Sequence, residues 1–276
     1  MEGDVLLATD GSDLAAAAAE HGLAVADRFG AAVRVVSVAD ENLGEPDRAR
    51  HREFVDRIER DAHEDGLSTT TSVRSGQPSR ELLADADEHD VGLIVMATHG
   101  RTGLRRWLLG SVAIAVVREA HCPVLTVNPT AADAASASEI EDVLIATDGR
   151  PGVEAAVDSG LEFAAAYGAR VHAVSVVDDV HSHTSVVLEA LEDVAERSTT
   201  AVAERASGRG LETQRAIERG TPHREIVDYA TDRSVDLVVV GTESRTGLDR
   251  VVAGSVSQRV IGTAPVPVVS VRTLDR

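Results

Sequence analysis

The chain has 276 residues, enough for two domains of ordinary size. It carries 46 acids against 27 basic residues, all of them arginine, for a net charge of −19, and only 2% aromatic residues. A field of that sign repels nucleic-acid phosphates and anionic membranes, so no nucleic-acid or membrane partner is expected, and the cores must be built from Val, Ala, Leu and Ile.

VLLAT (5–9) is a short apolar run bounded by Asp and Gly and reads as a strand. Residues 14–29 are Ala-rich and helical, AVRVVSV (32–38) is a β-branched strand, and residues 48–64 form a charged helix with few apolar positions, expected on the outside. TTTSV (69–73) is a strand, and Pro78 opens a helix to about Glu88 from a favoured first-turn position. VGLIVMA (91–97) does not alternate, which predicts a strand buried on both faces. A helix opens after Gly110–Ser111, and PVLTV (123–127) is the last strand. This β-α-β-α-β-α-β-α-β order predicts a parallel sheet covered by helices on both sides, with right-handed crossovers.

The pattern then repeats. DVLLATDGS (4–12) matches DVLIATDGR (142–150), and Val38 falls opposite Val176, both at an offset of 138. GQPSRELL (76–83) matches GTPHREIV (220–227), and CPVLTV (122–127) matches VPVVSV (266–271), both at 144, so the second copy holds six extra residues between Val176 and Gly220. Between the copies, NPTAADAASASE is small and polar without apolar periodicity, a linker composition. The expected organisation is a domain over 1–128, a linker over 129–139 and a second domain over 140–276. The acids are spread evenly, 23 with 13 arginines in residues 1–138 and 23 with 14 in the rest. Salt screens such self-repulsion, and an acidic, lysine-free surface resembles those of proteins from salt-loving cells. Codon bias would explain Arg over Lys but not the acid excess.

In open parallel sheets, ligands bind beyond the carboxyl ends of the strands where the strand order reverses. TDGS (9–12) follows the first strand, and MATHGRTGLRRWLLGSV (96–112) follows the fourth. In the latter, Ala97, Gly100, Gly110 and Ser111 are small and precede a helix, whose N-terminus suits phosphate. Arg101, Arg105 and Arg106 make the segment locally basic, and Ser111 has two readings, helix cap or phosphate partner. Spacing alone equally suits a plain glycine-containing turn with an N-capped helix and solvated arginines.

The duplicated pattern resembles the universal stress protein family, whose ATP-binding signature runs G-x-x-G, nine residues, then G-S or G-T. The resemblance covers nearly the whole chain. It implies an α/β fold: two doubly wound, Rossmann-like domains of the adenine nucleotide alpha hydrolase type, each with a five-stranded parallel sheet. They would pack as an intrachain pseudo-dimer, PVLTV against PVVSV. It also implies adenine nucleotide binding, ATP with Mg²⁺ on its phosphates, with AMP and a cyclic nucleotide left open. Carried over to this sequence, Asp10 and Val38 match the adenosine positions, and Gly100, Gly110, Ser111 and Val112 the phosphate positions. Ala97 stands at the first motif glycine; beside the motif, His99 either touches a phosphate or simply sits in the loop, and Arg101 adds positive charge. In the second copy Asp148, Val176, Gly241, Gly254, Ser255 and Val256 match, but Ser244 replaces the second glycine beside Glu243, and Asp249 stands for Arg105. A carboxylate beside a triphosphate is unfavourable unless a cation intervenes, so the first copy is expected to be the better site.

The functional expectation is a cytoplasmic stress sensor or regulator without efficient catalysis, working through a regulatory protein partner and open to pairing of pseudo-dimers. The alternative is a nucleotide-independent scaffold. Nothing resembles a G-x-S-x-G elbow, and without lysine there is no P-loop. His181-x-His183 has no cysteine nearby and only scattered carboxylates and reads as a solvated loop; Cys122, opposite Val266, reads as a small buried apolar residue; Trp107 reads as packing.

Overall fold

The computed structural model describes residues 1–39, 44–100, 109–133, 139–150, 152–179, 185–244 and 255–274. The first half runs β1 (Val5–Ala8), α1 (Asp13–Phe29), β2 (Val33–Ala39), α2 (Glu45–Glu64), β3 (Thr69–Ser75), α3 (Pro78–Glu88), β4 (Leu93–Ala97), α4 (Ser111–Glu119) and β5 (Val124–Val127). The second runs β6 (Asp142–Ala146), α5 (Glu154–Tyr167), β7 (Arg170–Val177), α6 (Ser185–Ser207), β8 (Thr213–Arg219), α7 (Pro222–Asp232), β9 (Leu237–Ser244), α8 (Ser255–Thr263) and β10 (Val268–Leu274).

The strands form one sheet in the order β3-β2-β1-β4-β5-β10-β9-β6-β7-β8. Pairing is parallel within each half, and the halves join through antiparallel β5 and β10, with Thr126 opposite Val268 and Val124 opposite Ser270. PVLTV and PVVSV therefore meet as the resemblance implies, and each covers the other's edge. In each half the order reverses beside the first strand, between β1 and β4 and between β6 and β9.

Both faces of the inner strands are buried, while the edge strands β3 and β8 are partly exposed. Leu7, Val95, Leu125, Val269 and Ile145 pack under α1, α2, α5 and α6, while Leu6, Ile94, Val124, Val268 and Leu144 pack under the other four helices. Each core thus runs through both halves, and truncating a leucine such as Leu125 costs about 2–5 kcal/mol. Helix α1 is capped by Ser12, whose hydroxyl accepts from Ala15 N, and by Gly30 in the left-handed region at its end. Glycine lets α1 and α5 sit close on the sheet: a Cβ at Gly22 would lie 2.2 Å from Leu7, and one at Gly160 would lie 2.7 Å from Ile145. Beyond the sheet, Arg28 Nε donates to Ala166 O at 2.5 Å, and Phe29 meets Phe163 edge-on at 5.3 Å.

Two elements differ from the reading of the sequence, and one contrast between the copies carries no signal in it. Helix α2 starts at Glu45, not 48, with Pro46 in its first turn, and buries His51, Val55, Ile58 and Ala62, so one stripe faces inward. The start of the linker is tied down although it lacks periodicity. Asn128 Oδ1 accepts from Thr130 N and Ala131 N, a single 3₁₀ turn follows over Ala131–Asp133, and Ala131 is fully buried. The Asn128 amide reaches the second half at Ile261 and Ala264, while the 3₁₀ turn packs against α1 of the first half. Finally, the buried pair Arg34–Asp85 of the first half has no counterpart in kind. The matching positions hold His172 and Tyr229, with His172 Nδ1 3.0 Å from the Tyr229 hydroxyl and Nε2 2.7 Å from Asp142.

Candidate functional site

After β1 the chain turns sharply at Thr9–Ser12. Gly11 N donates to Thr9 Oγ1 (3.1 Å) and Ser12 N to Asp10 Oδ1 (3.0 Å). Gly11 has φ 77°, and a Cβ there would also lie 2.2 Å from the Phe54 ring of α2. Beneath the turn, the buried Ser37 hydroxyl donates to Thr9 O at 2.6 Å and lies 2.7 Å from His51 Nδ1. Val38 follows, half-buried near the end of β2. The second copy builds the same turn: Gly149 N donates to Thr147 Oγ1 and Arg150 N to Asp148 Oδ1. Val176 occupies the place of Val38 on β7.

Strand β4 ends at Ala97, paired with Val127 in extended backbone, so a methyl group costs nothing there. Thr98 N still reaches Val127 O (2.9 Å), and the Thr98 hydroxyl lies 2.9 Å from His99 Nδ1. The other ring nitrogen, Nε2, is buried without a partner among the described residues. Burial lowers the His99 pKa and keeps the ring neutral at pH 7.

Gly100 then passes against Asp10; a Cβ on it would lie 2.5 Å from Asp10 Oδ2. The two motifs that the sequence separates by ninety residues therefore converge at the switch point. Gly110 closes the site from the other side. Its N–H donates to Thr98 O at 2.8 Å, and a Cβ would lie 2.9 Å from that same oxygen. Its backbone is extended (φ −63°, ψ 150°), so what glycine supplies here is space.

Gly110 is also the residue that caps α4. Ser111 is the first helical residue, exposed, and among the described residues no side chain bonds the start of the helix, which corrects the reading of Ser111 as an N-cap. The first helical bond at this end runs from Ile114 N to Gly110 O, so the N–H groups of Ser111, Val112 and Ala113 lack an intrahelical partner. Val112 is half-buried against the core on this face.

The second copy takes a different path. Gly241 sits in strand at the position of Ala97, but β9 continues through Thr242 to Ser244, paired with Arg272 to Leu274 of β10. Where Gly100 bends back against Asp10, Ser244 prolongs a ladder. Asp148 is half exposed and pairs with Arg150 at 3.4 Å. Ser255 opens α8 and Val256 packs beside it. Arg101, Arg105, Arg106, Trp107, His181, His183, Asp249 and Gly254 lie outside the described residues.

Among the described residues, Asp85, Glu88 and His89 have metal-ligand spacing. The Arg74 guanidinium already sits among them, 3.1 Å from Asp85 and 2.8 Å from Glu88, and Arg34 holds Asp85 as well. Their charge is thus met by arginine. Cys122 is half-buried, and burial pushes its thiol up to about 11, in keeping with a packing role. Sequence reading singled out neither Ser37–His51 nor Asn128, since neither belongs to a recognisable spacing.

The universal stress protein family model matches the chain twice, over residues 1–128 and 139–272, and the chain belongs to that family. A universal stress protein of Methanocaldococcus jannaschii is 36% identical over 137 residues, 45% of this chain and 81% of that one. One from Mycobacterium tuberculosis is 32% identical over 213 residues, 75% of this chain and 70% of that one. The fold is shared with a crystal structure of a universal stress protein from Archaeoglobus fulgidus, at a TM-score of 0.73 and 20% identity over 98% of both chains. No described helix is long and apolar enough to cross a membrane.

Proposed function

We propose that the first half binds an adenine nucleotide and that the protein acts as a nucleotide-responsive regulator, not as an efficient catalyst. The observation that carries this reading is the convergence of Asp10, Gly100 and Gly110 beside the N-terminus of α4, which has no side-chain cap among the described residues, at the switch point of the sheet. Val38 and Asp10 would take the adenosine end. Gly100, Gly110, Ser111 and Val112 would take the phosphates, with Ala97, His99 and Arg101 alongside. Mg²⁺ would travel with the phosphates, and Asp10 is the carboxylate beside Gly100. Efficient phosphoryl transfer needs a positioned base, metal carboxylates and a cation clamp together, and one aspartate does not amount to that set.

The division into 1–128, a linker over 129–139 and 140–276, and a cytoplasmic setting at high salt, belong to the same proposal. The charge of −19 supports the latter. In the second half Asp148, Val176, Gly241, Gly254, Ser255 and Val256 keep the motif positions, but the extension of β9 through Ser244 argues against equal binding there. That extension also supports the second reading, a scaffold that works by protein association without nucleotide. Purification in molar KCl followed by mass spectrometry of bound small molecules separates the two. Stoichiometric nucleotide supports the first reading, and none, even after added ATP, supports the scaffold.

A further inference from the structure

Helices α4 and α8 are each held at the C-terminal end by the opposite half. Helix α4 starts at the first candidate site with Ser111 and stops at Glu119. The Glu119 carbonyl accepts from Arg272 Nη1 at 3.4 Å, and Arg272 lies on β10 of the second half, opposite Thr242 of β9. The reciprocal contact is tighter. Asn128, at the end of β5 and only 1% exposed, donates both amide hydrogens to the C-terminal carbonyls at α8, Ile261 O at 3.0 Å and Ala264 O at 2.8 Å. Asn128 and Arg272 occupy the same position in the two copies, 144 residues apart. One alignment position thus does the same task twice, with different chemistry, each time on the other half.

We propose that Arg272 is a positioning residue for the nucleotide site of the first half. A helix end leaves carbonyls without intrahelical partners, and a cation there complements the negative end of the helix dipole. Helix α4 is nine residues, about 13 Å, so its two ends belong to one short dipole. The neighbouring Glu119 carboxylate is already paired with Arg118, which leaves the Arg272 charge to act on the helix end. Held in this way, α4 keeps the N–H groups of Ser111, Val112 and Ala113, which lack an intrahelical partner, aimed at the phosphate position. The second half then serves the first site whether or not it binds nucleotide itself. This proposal rests on the reading that the first half takes the nucleotide.

The test uses full-length Arg272→Ala and Arg272→Lys, with ATP titrated calorimetrically in molar KCl and thermal melts run alongside. Arg272→Ala weakens first-site binding about two- to fivefold, and Arg272→Lys recovers most of the loss because it keeps the charge at the helix end. An unchanged affinity in Arg272→Ala, whatever its melting temperature, overturns the proposal. So does a lysine variant as weak as alanine, since that would leave only side-chain packing. Wild-type protein that binds no ATP removes the parent reading together with this one. Normal wild-type binding with an unaffected alanine variant removes this one alone.

Discussion

Asp10 and Gly100 lie so close that a side chain at residue 100 would begin 2.5 Å from the Asp10 carboxylate oxygen. Gly100→Ser, which installs the residue of the second copy, must therefore push either Asp10 or the loop away from its place. ATP affinity is expected to fall at least about tenfold, roughly the loss of one charge-assisted hydrogen bond. Gly100 is exposed, so the melting temperature should move little. Calorimetry alongside melting checks both. The converse change, Ser244→Gly, is expected to create no new site, because the ladder to Arg272–Leu274 persists without a serine side chain.

The contrast between Gly100 and Ser244 marks how far the sequence could be read. Repeat offsets and alternating elements were enough for the two sets of parallel strands, because buried parallel strands are uninterrupted apolar runs, while their meeting edge came from the family resemblance. The motif spacing brought out Gly100 and Gly110, but the reason for each glycine is a contact with Asp10 or Thr98, remote in sequence or across a loop. That β9 runs on to Ser244 depends on β10 continuing to Leu274, whereas after β5 the chain meets Pro129, which has no N–H for a ladder. Asn128 carried no signal, since a lone asparagine before proline reads as a turn.

Acid should loosen the protein before its carboxylates titrate. His21 is buried, its Nδ1 has no partner among the described residues, and burial lowers its pKa against a weaker opposing bond to the Ala131 backbone. His99 shifts the same way. The neutral ring is favoured by folding, so stability is fully present above the ordinary histidine pKa of about 6.5 and is lost as pH falls below it toward the lowered folded value. Melts at pH 7.5 and 5.5 should show a clear drop. His21→Ser, the residue at the matching position 159, should reduce the drop; an unchanged pH dependence in that variant would remove His21 as a cause.

The pair Arg34–Asp85 and its counterpart His172–Tyr229 are two solutions for one buried place. Asp85 is fully buried between Arg34, whose Nη2 is 3.2 Å away, and Arg74 at 3.1 Å, so removing Arg34 leaves a buried carboxylate with one cation in place of two and removing Asp85 leaves both guanidiniums without it, at a cost of up to about 3–5 kcal/mol. Arg34→His and Asp85→Tyr should each destabilise the protein, and the double variant should lose clearly less than the sum of the singles. Denaturant unfolding of the three variants gives the coupling directly, and simple additivity would mean that the two pairs are not interchangeable.

Salt should stabilise the fold. With a net charge of −19 the compact chain repels itself, and screening relieves this as ionic strength rises. The melting temperature is expected to climb steadily between about 0.1 and 2 M KCl. A flat response would show that the acids are already balanced locally.

The central claim is an asymmetry: one nucleotide per chain, held by the first half. Calorimetric titration of ATP in molar KCl into the wild type, Gly110→Asp and Gly254→Asp tests it most directly, with melts to confirm that each variant folds. The prediction is one site in the wild type, nearly abolished by Gly110→Asp, where a carboxylate would enter the space against Thr98 O, and largely kept by Gly254→Asp. Equal losses in the two variants, or two equivalent sites in the wild type, would contradict it.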